Sequence, residues 1–72
     1  MIGIDMKVRF VPSFRDSTVM TPEERKEATV TGTVVYINYE HKMFMVEFED
    51  NGAVFKESFK FSDCGKTVTV CG

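Results

Sequence analysis

Seventy-two residues carrying a formal net charge of −2 allow one small domain, residues 1–72, which buries only roughly 60% of the surface its unfolded chain exposes. Seven Phe, two Tyr and five Met fill one core and leave no volume for an enclosed pocket, which argues against an enzyme, a cofactor and a small-molecule substrate. Nine basic residues face eleven acidic ones, so the chain lacks the positive surplus with which nucleic-acid binders neutralise phosphates.

The opening MIGIDMKVRF contains Asp5 and no apolar run of signal-sequence length. No later segment is long enough for a membrane span, and the expectation is a cytoplasmic protein. Met6 to Phe10 alternates apolar and basic residues, the period of a half-buried strand. Met6, Val8 and Phe10 face inward on this reading, with Lys7 and Arg9 in water. Pro12 ends the pairing because it lacks a backbone donor.

Ser13 to Lys26 is a long connection that needs anchors of its own, and Phe14, Val19 and Met20 are the candidates. Thr21-Pro22-Glu23-Glu24 places a capping Thr, a Pro at the first helical position and a Glu three residues after the cap. A turn or two of helix follows, from Pro22 to about Glu27. Ala28 to Asn38 is rich in Val and Thr and reads as a strand. Gly32 marks a bend or bulge within it. The apolar run Val34-Val35-Tyr36-Ile37 breaks the alternation, and a bulge that turns both Val34 and Ile37 inward repairs it.

Tyr39 to Lys42 is the next turn. Met43 to Glu49 then puts Phe44, Val46 and Phe48 on one face and Met43, Met45, Glu47 and Glu49 on the other. Asn51-Gly52 is the pair favoured in two-residue hairpins. Ala53 to Phe61 is the return strand, where Phe55, Phe59 and Phe61 share their parity with Glu57. That carboxylate requires either a wet strand end or a bulge. Ser62 to Gly65 makes a short, 3₁₀-like turn. Lys66 to Val70 is the last strand, with Val68 and Val70 inward. Cys64 and Cys71 flank it at roughly 15 to 20 Å, beyond the 4.4 to 6.8 Å or so that a disulfide spans, so both are read as reduced thiols.

Five short strands, a long first connection, a three-strand meander and a one-turn step before a brief last strand describe an all-β fold, a single SH3-like barrel with one short helical turn in its first connection. An OB-fold would carry a helix where this chain has only Asp50 to Gly52. Gly32-Thr33-Val34-Val35-Tyr36-Ile37-Asn38, followed by a strand such as Phe44 to Phe48, resembles the KOW/Tudor-type branch of SH3-like barrels over about 20 residues. That resemblance implies contacts with RNA or with ribosomal and transcription partners, although the basic loops that make them in those families are missing here. The chain also resembles short uncharacterised proteins of Gram-positive bacteria and their prophages, which implies a mobile-element origin.

No catalytic, cofactor or metal signature stands out. His41 falls in a turn with no partner for acid–base work. Together with Cys64 and Cys71 it gives three separated ligands where a structural zinc wants four. Glu47, Glu49, Asp50 and Glu57 read as a solvated acidic face. Ser13, Ser17, Ser58 and Ser62 lack the setting of a nucleophile. Two surfaces remain. Tyr36, Met43, Met45 and Val54 point away from the core beside Thr33 and Lys56, an apolar strand face on which a protein partner or a second copy could dock to give a homodimer. Alternatively Lys7, Arg9, Lys56, Lys60 and Lys66, with Tyr36 or Tyr39 for stacking, would hold a nucleic acid weakly. The leading expectation is a non-enzymatic module that works by surface contact.

Overall fold

Alternating apolar residues place the strands of the computed structural model, which describes residues 2–15 and 19–71. Among the described residues five strands form one antiparallel sheet: β1 Lys7–Phe10, β2 Val30–Asn38, β3 Met43–Asp50, β4 Ala53–Lys60 and β5 Val68–Val70. The helix α1, Pro22–Ala28, precedes β2, and a 3₁₀ turn, Phe61–Asp63, precedes β5. Across the sheet the order is β4-β3-β2-β1-β5. The expected mostly-β architecture is present, but the ladder does not close: β4 and β5 are edges, each bonded to a single neighbour.

Side chains curl the sheet instead. Three strand spacings separate β1 from β4, about 14 Å in a flat sheet. Yet the Phe10 ring lies 5.0 Å from that of Phe59 and 5.1 Å from that of Phe48. The sheet therefore folds over onto its own apolar face. Val8, Phe10, Val34, Phe44, Val46, Phe48 and Val68 are buried there together with Ile2, and Met6, Ile37, Phe59 and Phe61 pack around them.

The local signals act as read. Thr21 accepts from the Glu24 amide and the Glu24 carboxylate accepts from the Thr21 amide, at 3.2 and 3.1 Å, so two of the helix's orphan donors are satisfied. Asp50 pairs with Ala53, and Asn51 and Gly52 take φ of 53° and 81°, the left-handed pair a two-residue hairpin demands. The bulge lies between Val34 and Tyr36. Val35 is its extra residue, and Val34 and Ile37 both reach the core.

Gly32 is not the bulge, and crowding across the curled sheet accounts for it. It is buried in register with Val8, and the bulge comes after it. A Cβ at Gly32 would collide with Val46 Cγ1 and stand 3.1 Å from the Phe10 ring. The glycine is there because the sheet curls too tightly at this point for any side chain.

Glu57 faces the curled interior without a bulge, since β3 and β4 pair continuously from Met43–Lys60 to Asp50–Ala53. Its carboxylate accepts from the Ser13 amide at 3.0 Å and the Ser13 hydroxyl at 2.9 Å. Phe14 stacks over Phe48 and packs against Phe55, and Arg15 meets Asp50 at 3.4 Å. Residues 13–15 thus clip the end of β1 to the β3–β4 hairpin. Glu57→Ala is expected to lose about 1 kcal/mol in urea unfolding, and Glu57→Gln, which keeps an acceptor, less than half of that. Equal losses would mean the acceptor is not what matters.

Other anchors differ from expectation. Val19 is 78% exposed and holds nothing down, while Met20 is half-buried. Residues 16–18, including Ser17, lie outside the described residues. Lys66 and Thr67 belong to the turn before β5 rather than to the strand, and Val70 is exposed at its rim while Val68 is buried. Among the described residues no helix is long and apolar enough to cross a membrane.

Candidate functional site

The outward strand face is built by the β2–β3–β4 ladder. Tyr36 stands opposite Met45, and Met45 opposite Ser58. In the next row Asn38 faces Met43 and Met43 faces Lys60. Tyr36 is 48% exposed, whereas Met43 and Met45 are half-buried. The bulge leaves Val35 partly exposed beside Tyr36, and the Asn38 amide donates to the Tyr36 hydroxyl at 3.3 Å. These residues make a short apolar strip with one polar tip.

Val54 does not join it. Val54 pairs with Glu49, and the row between it and Met45 is Thr33–Glu47–Lys56. The predicted patch is therefore divided by a band of opposite charges, and Lys56 belongs to that band. Exposed Val54 lies instead beyond the band, toward the Asn51-Gly52 hairpin tip.

The candidate cations also separate. Arg9 and Lys66 line one groove, and Lys7 stands one row away on β1, its Nζ donating to Thr33 Oγ1 at 2.6 Å. Lys60 lies across the sheet, in a depression shared with His41, Met43 and Asp63. Tyr39 is on neither surface: its ring packs edge-on against Phe61 at 6.1 Å. A stacking platform beside the lysines is thus not formed by Tyr39.

Sequence reading missed the apolar cleft that Tyr39 helps to build. Ile2, Tyr39, Phe61, Cys64 and Val70 line a recess of about 210 Å³. Four separate segments supply those residues, so no local pattern announces them. Cys64 is half-buried in this recess and Cys71 is exposed; both are free thiols. Among the described residues no three of His, Cys, Asp and Glu gather as metal ligands. The acids of β3 and β4 are spread out: Asp50 is taken by Arg15, Glu57 by Ser13, and Glu47 and Glu49 are in solvent.

Compared with known protein families, curated proteins and solved structures, the chain matches none.

Proposed function

We propose that this protein is a non-enzymatic interaction module with an SH3-like barrel architecture, acting through its strand surface on another protein or a second copy of itself. Support for the architecture comes from the strand order β4-β3-β2-β1-β5 with a 3₁₀ turn ahead of the last strand, and from the Phe10–Phe59 contact that rolls the sheet. Support for the activity comes chiefly from the Tyr36–Met45 row. An exposed aromatic ring lies beside two half-buried methionines whose flexible thioethers adapt to varied surfaces. Most of the area is already on a rigid ladder, so docking orders little chain and costs little entropy.

The experiment is Met45→Glu, compared with wild type by sedimentation and by binding to candidate partners. A carboxylate there would have to be desolvated at the contact. Association is expected to weaken at least about tenfold, equivalent to roughly 1.4 kcal/mol, with the urea midpoint nearly unchanged because Met45 is outside the core. A wild type that is strictly monomeric and captures no host protein would refute the reading.

A further inference from the structure

Charge on this molecule is segregated more strongly than its total suggests. β1 lies between β2 and β5, and its outward residues meet threonines on both sides. Arg9 stands between Thr31 and Thr69, and Lys7 faces Thr33. The last turn of α1 brings Lys26 and Thr29 against Arg9 and Thr31, around a depression of about 390 Å³. An adjoining one of about 310 Å³ adds Lys66 and Thr67 from the turn before β5. Among the described residues, none that lines either depression is acidic. Across the described ladder the first acid is Glu47, opposite Thr33, while on α1 the exposed Glu27 follows Lys26 outside both linings.

What such a groove recognises follows from its donors. Guanidinium, ammonium and hydroxyl groups all donate to an oxyanion. Thr29 shapes the wall only, since its hydroxyl already donates to the Arg25 carbonyl at 2.8 Å; Thr31, Thr67 and Thr69 remain as hydroxyl donors. Lys7 and Arg9 are two residues apart on a strand, about 6.6 Å, close to the step between neighbouring phosphates along a nucleic-acid strand. Among the described residues that line the two depressions, Phe10 alone is aromatic and it is buried in the core, so unstacked bases find no platform within them. Single-strand binders depend on such platforms; a duplex, whose bases stay stacked and whose phosphates face outward, does not. The geometry points to a phosphate-backbone site for double-stranded nucleic acid, formed by Lys7, Arg9, Lys26 and Lys66 with the threonines between them, which does not read base edges. Its cations lie on β1, α1 and the turn before β5, none of them in the Tyr36–Met45 row, so it stands or falls separately.

The test is anisotropy of a short labelled DNA duplex titrated with the protein at low salt and then at rising salt. Binding is expected to be independent of sequence, with log Kd rising against log salt at a slope of about 3.6, from roughly 0.9 for each of four phosphates neutralised. Arg9→Ala with Lys66→Ala should weaken binding about tenfold or more and reduce that slope by about 2. Lys56→Ala with Lys60→Ala changes the net charge equally, at the far edge strand β4 of the same outer face, and should stay within about twofold of wild type. Circular dichroism checks folding, and Lys26→Ala with Lys66→Ala replaces the first pair, with the same expected loss, if Arg9 proves structural. Equal weakening by the two charge-matched pairs would overturn the site. So would absence of binding at low salt, tighter binding of a single strand of the same length, or displacement of the duplex by a polyglutamate peptide as readily as by unlabelled DNA.

Discussion

Phe44→Ala is expected to lower the unfolding free energy by about 3 to 5 kcal/mol, the usual range for removing a buried ring. Phe44 is fully buried, with the rings of Phe59 and Phe61 5.7 and 6.3 Å away. It is the second residue of β3, paired to Ile37 on one side and Phe59 on the other, so the cavity left behind is walled by both the ladder and the curl and cannot collapse easily. A domain of this length has roughly 4 to 11 kcal/mol in total, at about 0.05 to 0.15 per residue. The variant should therefore lose at least about a quarter of its stability, with the urea midpoint reduced in proportion. Phe44→Leu, which keeps most of the volume, should recover over half of the loss. A shift below about 1 kcal/mol for the alanine variant would show that Phe44 is not central to the core.

Gly32→Ala should be the second most damaging change, although it adds only one methyl group. Overfilling a packed core typically costs about 1 to 3 kcal/mol, and here the methyl has no direction of retreat. Val46 is fully buried and cannot move aside without disturbing its pairing with Val34, and Phe10 is wedged between Phe48 and Phe59. The β1–β2 and β2–β3 ladders would have to separate to admit it. Combining Gly32→Ala with Val46→Ala supplies the discriminating measurement. If crowding is the cause, the double variant loses less in urea unfolding than the sum of the single losses. Strict additivity would place the effect in the backbone and not in the contact.

Comparison of these two positions shows where sequence reasoning reaches its limit. Phe44 was legible because period-2 alternation assigns each residue of β3 a face without knowledge of its neighbours. The capping box at Thr21 and the Asn51-Gly52 turn were legible for the same reason, being set within a few residues. Gly32 was seen as special, but the cause lies in Val46 and Phe10, fourteen residues later and twenty-two earlier in the chain. Glu57 looked misplaced until Ser13 was brought to it. Closeness of Phe10 to Phe59, and with it the degree of curl, follows from sheet order and twist, which no single strand encodes. Candidate surfaces fared likewise. The Tyr36–Met45 row could be placed from parity and a bulge, but its separation from Val54 required the pairing of Glu47 with Lys56. The basic groove required β5 to lie beside β1, a juxtaposition of opposite ends of the chain that the net charge conceals.

The unpaired side of β4 has a consequence for the protein in concentrated solution. Eight residues of exposed edge would ordinarily invite a second molecule to zip on and extend the sheet without limit. Two-fold antiparallel pairing of β4 with its twin must keep the same faces together, so the longest registers are centred on Lys56 or on Glu57. Centring on Lys56 sets two ammonium groups against each other, and centring on Glu57 sets two carboxylates together, both unfavourable across a strand pair. Neighbouring registers avoid the repulsion only by shortening the overlap to about five residues. Adjacent opposite charges at the middle of the strand thus act as a built-in guard against ribbon growth.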